Sequence, residues 1–290
     1  MFDVLVHILN YLVNFGVKFR RLFQIISIIS SVLFSEDGPV YHVPIHGTID
    51  MGLPHYIQRV VDEAEEHNAQ AIIFDIDTFG GRVDAATQIK DIILDSKVTT
   101  IAFINKRAIS AGALISLSCD SIFMTPGASI GAATAVDLQG KKASEKVISY
   151  MREEMASTAE ANNRSRDIAT AMVDEELSID FLLNIQGDTL TSKDVDGFAE
   201  GKLITLSTQL SVQLGFASGE FESIEKLLKY LGLEDAEQKD MEESWSEKLV
   251  RFLTNPVVAP LFMSLGMLGL FMEIKSPGFG VPGTVGLICL

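Results

Sequence analysis

The sequence predicts an α/β domain with a membrane segment on each side. Hydrophobic residues make up 47% of the 290-residue chain, and the mean hydropathy is +0.26, which is high for a purely soluble protein. Apolar stretches occupy both ends of the chain. Between them, short β-branched runs alternate with helical periodicity, a pattern typical of right-handed βαβ units in a parallel sheet.

The amino-terminal stretch, residues 1–34, has the layout of a signal sequence. Lys18, Arg20 and Arg21 precede an apolar run over residues 22–34. The run is shorter than the roughly 20 residues of a usual spanning helix, so a signal peptide and a signal anchor are both consistent with it. A buried helix is the alternative. The basic residues predict that the following domain lies outside the cytoplasm.

A globular domain is predicted over residues 38–234. Its first elements are a strand at 40–45, a helix at 53–66, a strand at 71–77, a helix at 83–95 and a strand at 99–104. Functional sites of open α/β sheets lie at the carboxyl ends of the strands. The segments that follow the second and third strands are therefore the candidates for chemistry.

A membrane region is predicted over residues 245–290. Residues 256–272 are strongly apolar, and a Gly/Pro segment at 277–283 leads into a second apolar run. This pattern favours a helix followed by a re-entrant or interfacial turn. Because the chain stops inside that run, we expect it to be part of a longer protein.

Charge and cysteine content narrow the possible functions. The net charge of -16 and the pI near 4.7 argue against nucleic acid as a partner, which basic residues would hold. Cys119 and Cys289 are far apart and imply no disulfide framework. No cluster has metal-ligand spacing, so we predict no structural metal.

The first candidate segment contains Gly80 and Gly81, between the second strand and its helix. Paired glycines expose backbone N–H groups, and the following helix amino terminus favours negative charge. Such groups suit the oxyanion of an acyl-transfer intermediate. A plain strand-to-helix turn is the alternative.

The second candidate segment contains Ser110, which follows the third strand and opens an apolar helix. This is the position of a nucleophile on a strand-to-helix elbow. The neighbours Ala111, Gly112 and Ala113 are small enough to admit a substrate chain. A helix-capping serine is the alternative.

The base for this serine is predicted to be a lysine. All five histidines precede Ser110, which excludes the chain order Ser, His, Asp, and we interpret His46 and His55 as structural. A lysine acts as a base only where burial lowers its pKa by several units from about 10.4. Lys146 is the candidate, since apolar residues follow it, namely Val147, Ile148 and Tyr150. Lys141 and Lys142 are predicted to point to water, and both stay as alternatives.

Several motifs resemble those of ClpP-class serine proteases. They are Ser110-Ala111-Gly112-Ala113, Gly80-Gly81, and the stretch 123–132, which matches a substrate-cleft motif. Residues 201–207 and 214–217 resemble the strand and helix that close the catalytic domain in NfeD proteins and in the signal peptide peptidase A family. The turn at 277–283 is similar to one in the membrane domain of long-form NfeD proteins. The resemblance runs from about residue 40 to the end.

The resemblance implies a ClpP/crotonase-like β-β-α superhelix with a Ser-Lys dyad and no cofactor. Ser110 would be the nucleophile and Lys146 the base. Backbone N–H groups of Gly80 or Gly81 and of Ala111 would form the oxyanion hole. The implied substrate-binding residues are Phe79, Ser129, Ile130 and Gly131. Phe79 stands where the family usually has proline, and this difference can alter the loop or the specificity pocket. Residues 134–145 lack a clear family pattern.

The resemblance also implies a function. It is that of a homo-oligomeric, membrane-anchored serine endopeptidase of the cell membrane, with an extracytoplasmic catalytic domain. Apolar segments of peptides or membrane proteins would be its substrates, and stomatin-like proteins its partners. The long-form family's small β-barrel is missing from this sequence, which again predicts a longer protein. The alternatives are a crotonase-type acyl-CoA enzyme and a catalytically silent scaffold that binds stomatin-like proteins.

Overall fold

The computed structural model describes residues 38–136, 140–255, 257–275 and 280–290, so the predicted signal segment lies outside the described residues. The strands are β1 Val40–Ile49, β2 Ala71–Gly81, β3 Thr100–Ile109, β4 Ser121–Met124, β5 Ser129–Gly131, β6 Leu182–Leu183, β7 Thr189–Leu190, β8 Thr205–Ser207, β9 Gly219–Glu220 and β10 Gln238–Asp240. The helices are α1 Leu53–Glu66, α2 Val83–Leu94, α3 Ala111–Ser118, α4 Glu145–Ala161, α5 Arg166–Ala171, α6 Thr208–Gln213, α7 Ile224–Leu231, α8 Trp245–Thr254, α9 Val258–Lys275 and α10 Val281–Cys289.

An eight-stranded sheet organises the domain, in the order β10-β1-β2-β3-β4-β9. The strands of this path are parallel, and β5 joins β3 in parallel and β8 in antiparallel pairing. The prediction of an α/β fold is confirmed. The sheet also continues past residue 234, the predicted end of the domain, because β10 pairs with the start of β1.

The central strands are apolar on both sides, which is why helices can cover both faces of the sheet. Alternate residues of β2 point to opposite faces. Ile72 and Phe74 pack in the larger core with α1, α2 and α3, whereas Ile73 packs in a smaller cluster with Leu227 of α7. Helices therefore cover both faces of the sheet.

Strands β1, β2 and β3 extend beyond their predicted ends, and this difference shapes the site. The sequence predicts that the second strand ends at residue 77, whereas β2 continues to Gly81. The reason is non-local: Gly80 and Gly81 still pair with Thr48 and Ile49 of β1 after a bulge. The paired glycines thus form the end of a strand, and the alternative of a plain strand-to-helix turn is wrong.

The described residues of the carboxyl-terminal region form three helices, α8, α9 and α10. Within the described residues, α9 is the one helix long and apolar enough to cross a membrane, with a mean hydropathy of 1.5. It packs closely on α10, since a Cβ atom on Gly269 would lie 2.9 Å from the Cα of Gly286. Small residues at such contacts are typical of helix pairs in membranes. Residues 276–279 of the predicted Gly/Pro turn lie outside the described residues, and the segment after them is helical.

Candidate active site

Ser110 lies at the junction between β3 and α3 in a strained backbone conformation. Its φ of 55° and ψ of -119° are values that residues with a side chain rarely adopt. Its hydroxyl makes no capping hydrogen bond to the described first turn of α3. Ser165, by contrast, accepts a hydrogen bond from the N–H of Ile168 as a true helix cap. The alternative of a capping serine therefore does not describe Ser110.

Strand β5 holds the backbone of Ser110 from one side. The Ser110 N–H donates to the carbonyl oxygen of Gly131 at 3.0 Å, and Ile109 pairs with Gly131 across the two strands. Gly131 in turn lies against β8, since a Cβ atom there would be 2.4 Å from the Ile204 carbonyl oxygen. The sequence interpretation brings residues 129–131 and Ser110 into one site, and the fold makes them neighbours.

Gly80 lies directly against the Ser110 side chain. A Cβ atom on Gly80 would be 2.6 Å from the Ser110 Cβ and 3.1 Å from its Oγ. Gly80 has a φ of 106°, which also favours glycine. The two candidate segments that the sequence singles out thus meet at the carboxyl ends of β2 and β3.

The backbone N–H groups near Ser110 differ in their hydrogen-bond acceptors. The Gly80 N–H donates to the Thr78 hydroxyl at 2.9 Å, and this buried hydroxyl donates to the Gly47 carbonyl oxygen. The Arg82 N–H donates to Ile49 of β1 at 2.8 Å. Because successive N–H groups of a strand point to opposite sides, that of Gly81 points away from β1, toward the β3 side.

Two further groups of the candidate site are the Ala111 N–H, at the start of α3, and the Thr78 side chain. Ala111 is the first residue of α3, and its N–H has no acceptor within the helix. The Ala111 N–H thus lies at the same strand-to-helix junction as Ser110. Thr78 is a site residue that sequence reasoning missed, because its acceptor on Gly47 lies 31 residues away in the chain.

Phe79 forms an exposed apolar surface beside Gly80. Its side chain is 73% exposed, and the Arg107 guanidinium lies 4.4 Å from the ring centroid. Asp77 holds that guanidinium with an Nε to Oδ1 distance of 3.2 Å. Among the other predicted substrate-binding residues, Ser129 is half-buried, whereas Ile130 is fully buried and belongs to the core.

Lys146 is exposed on the first turn of α4, so the expected apolar surroundings are wrong. Ile148 is buried, but Val147 and Tyr150 are 38% and 48% exposed. The physical reason is helix geometry: residues two positions apart lie on opposite faces, and the buried face of α4 is that of Ile148. Tyr150, one turn beyond Lys146, lines an open cleft of about 510 Å³ together with Arg82 and residues of α2. Tyr150 thus lies near the segment that follows Gly81.

The alternative bases differ from Lys146 in their partners. Lys142 lies 3.3 Å from the Glu175 carboxylate, whose hydrogen bond raises the pKa of that ammonium and keeps it protonated. Lys141 is exposed. His46 binds Asp75 with an Nε2 to Oδ2 distance of 3.1 Å, and His55 is exposed on α1. These contacts fit the structural roles that the sequence predicts for the histidines.

Comparison with known proteins assigns both parts of the chain. Residues 39–241 match the family model described as "NfeD1b, N-terminal domain", and residues 257–290 match that of the "NfeD integral membrane domain". Membrane protein NfeD1b of Bacillus subtilis is 38% identical over 256 residues, which are 88% of this chain and 55% of the relative. The membrane-bound protease PH1510 of Pyrococcus horikoshii is 30% identical over 261 residues, 87% of this chain and 56% of the relative. The chain spans about half the length of the curated relatives it matches.

A solved structure shares the fold of the domain. It is that of a 1510-N membrane-bound stomatin-specific protease, in which a lysine is replaced by alanine, in complex with a substrate peptide. The TM-score is 0.60 at 25% identity, and the match covers 76% of this chain and 99% of that chain.

Proposed function

Because this chain belongs to the NfeD family, as its motifs predict, we propose that it is a membrane-anchored serine endopeptidase with Ser110 as nucleophile and Lys146 as base. The observation that carries the proposal is the strained backbone of Ser110. Its hydroxyl makes no capping hydrogen bond to the helix and lies next to Gly80. Strain of this kind, held by the surrounding structure, is typical of catalytic positions.

The proposed mechanism is acyl transfer through a serine ester. The Ser110 hydroxyl attacks the peptide carbonyl carbon while the neutral amine of Lys146 takes its proton. The N–H groups of Gly81 and Ala111 then bind the oxyanion. We propose Gly81 ahead of Gly80 because the Gly80 N–H is already bound to Thr78. The Lys146 ammonium next protonates the leaving amine, and water hydrolyses the ester.

A lysine gives up its proton more readily when water is removed from around it. Lys146 is exposed in the free chain, so we propose that bound substrate supplies the missing cover. Two exposed aromatic residues support an apolar substrate segment: Phe79 beside Gly80 and Tyr150 one helical turn from Lys146. A second copy in a homo-oligomer is the other source of cover that we propose.

The proposed substrates are apolar segments of membrane proteins, including stomatin-like proteins. Support comes from the solved relative, which is named as a stomatin-specific protease, and from the membrane domain of this chain. We propose that the catalytic domain lies outside the cytoplasm, since basic residues precede the first apolar run.

The test uses the purified full chain, a peptide with an apolar segment and a fluorophosphonate probe. We expect Ser110→Ala to abolish both cleavage and labelling. Lys146→Ala should abolish cleavage to the same extent, because residues that act as one catalytic unit show the same loss when either is removed. Lys141→Ala and Lys142→Ala should retain cleavage. Ser165→Ala is the matched control: it removes a helix-capping serine at a cost of roughly 0.5–2 kcal/mol but leaves the site intact.

Other outcomes favour the alternatives. Undiminished cleavage by folded Ser110→Ala protein would remove the serine mechanism. Parental activity of Lys146→Ala would move the base elsewhere. A chain without peptidase activity that turns over an acyl-CoA would be a crotonase-type enzyme, and one that only binds stomatin-like proteins would be a scaffold.

A further inference from the structure

Helix α8 presents its apolar face away from the domain. A surface helix of a globular protein normally packs its apolar face on the core. In α8 the polar residues Glu247 and Arg251, one turn apart, contact the domain instead. None of the ten described residues of this helix is buried. The residues of its outward face are Trp245, Leu249, Phe252 and Leu253, which are 77%, 38%, 53% and 44% exposed.

A bidentate ion pair with α1 fixes the amino-terminal half of α8. The Nε and Nη2 atoms of Arg59 each lie 2.9 Å from a carboxylate oxygen of Glu247. The same carboxylate accepts the Ser244 N–H, and the Ser244 hydroxyl accepts the Glu247 N–H, which completes a capping box. This end of the helix is thus tied to both the domain and its own cap.

The second half of α8 is fixed to the end of β1. Arg251 Nε lies 2.9 Å from Asp50 Oδ2, and its Nη2 donates to the Thr48 carbonyl oxygen at 3.0 Å. Both side chains of this ion pair are largely buried. The apolar face of α8 therefore cannot turn toward the domain without breaking these contacts.

The apolar face continues into the membrane domain. Helix α8 ends at Thr254, and the candidate membrane helix α9 begins at Val258. The rings of Phe252 and Phe262 meet edge to face, with centroids 6.3 Å apart. Tryptophan and phenylalanine on one face of a short amphipathic helix are typical of the membrane interface. Continuity with α9 favours the bilayer surface over a second copy as the cover for this face.

We propose that α8 lies in the plane of the membrane interface, with Trp245 and its apolar neighbours among the lipid headgroups and upper acyl chains. The contacts of Arg251 then set the orientation of the domain. Asp50 directly follows β1, and Ile49 pairs with Gly81. In a parallel sheet the carboxyl ends of the strands share one edge. The edge that carries Gly81 and Ser110 is therefore held next to the bilayer.

The opposite edge of the sheet provides a control position. Lys97 lies just before β3, at the amino-terminal ends of the strands. Its side chain pairs with Glu65 and is 83% exposed. The proposal therefore puts Lys97 on the side of the domain that faces away from the membrane.

The test uses intrinsic fluorescence, because Trp245 is the single tryptophan of the chain. The full chain is reconstituted in phosphatidylcholine vesicles with or without bromine on the acyl chains near the headgroup. We expect bromolipid to lower the Trp245 emission roughly two-fold, since interfacial side chains reach ~5–10 Å into the headgroup and acyl boundary. Aqueous acrylamide should quench it weakly. The Trp245→Phe/Lys97→Trp double variant should show the reverse behaviour.

Each other outcome overturns part of the proposal. Strong acrylamide quenching of Trp245 without bromolipid quenching would show a water-exposed helix. Protection from both quenchers would show that a second copy covers the face. Equal bromolipid quenching in the Lys97→Trp variant would refute the orientation. None of these readouts depends on proteolysis, so the proposed function stands or fails separately.

Discussion

Replacing Gly80 by alanine tests the contact on which the proposed active site depends. The backbone at Gly80 has a φ of +106°, so alanine would cost roughly 1–3 kcal/mol of strain. Its methyl group would also lie 2.6 Å from the Ser110 Cβ. Carbon atoms normally approach to ~3.5–4.0 Å, so the two segments must separate by about 1 Å. A shift of this size between reacting groups costs roughly a hundredfold in rate.

The matched control for this substitution is Gly201→Ala. Gly201 has a φ of +80°, and a Cβ atom there would meet nothing within 4 Å among the described residues. It carries comparable backbone strain without a steric contact. We expect both variants to lose roughly 1–3 kcal/mol of unfolding free energy, measured by urea denaturation in detergent. Only Gly80→Ala should lose about a hundredfold in kcat/KM on the apolar peptide.

Two results would refute the reasoning. Folded Gly80→Ala protein with parental kcat/KM would show that the Gly80–Ser110 contact is not part of a catalytic site. Equal loss of activity in Gly80→Ala and Gly201→Ala, at equal loss of stability, would assign the effect to general destabilisation. A fluorophosphonate probe separates these cases further, because only a displaced Ser110 should label more slowly in the folded protein.

Two further predictions concern other parts of the described chain. Arg59 holds the pKa of Glu247 at about 2, below the ordinary 4.5, so the ion pair stabilises α8 fully above pH 4.5 and is lost as the pH falls toward 2. Titration of tryptophan emission should show this transition, and its persistence in Arg59→Met would contradict the assignment. Arg164 donates to three backbone carbonyls at the end of α3, so Arg164→Met should lower the unfolding free energy by roughly 2–4 kcal/mol. Arg166→Met, which removes only exposed ion pairs, should stay within about 1 kcal/mol of the parent in the same denaturant titration, and equal losses would contradict the role of Arg164.

The parts of the fold that could be predicted are those encoded by local sequence. Helix α1 has the predicted bounds, because its apolar residues follow a helical period and Pro54 begins it. The extension of β2 to Gly81 could not be predicted in the same way. It depends on pairing with β1, and a Gly-Gly pair taken alone favours a turn.

The candidate site was predictable in part for the same reason. The elbow position of Ser110 follows from a strand, small residues and an apolar helix in succession. The partner of Thr78 and the docking of α8 through Arg251 depend on residues far away in the chain. The exposure of Lys146 is a different case, because residues that follow one another in a helix point in different directions.

The two residues of the proposed dyad differ in how firmly the surrounding structure holds them. Ser110 is held by β5, Gly80 and the start of α3, whereas Lys146 stands on an exposed first turn. On the proposed mechanism, a substrate must therefore cover the lysine before the serine can react. An interfacial α8 would keep this edge of the sheet beside the bilayer, where apolar protein segments are concentrated. Such a segment would contact Phe79 and at the same time exclude water from the Lys146 amine. Soluble polar peptides should therefore be poor substrates even where they bind.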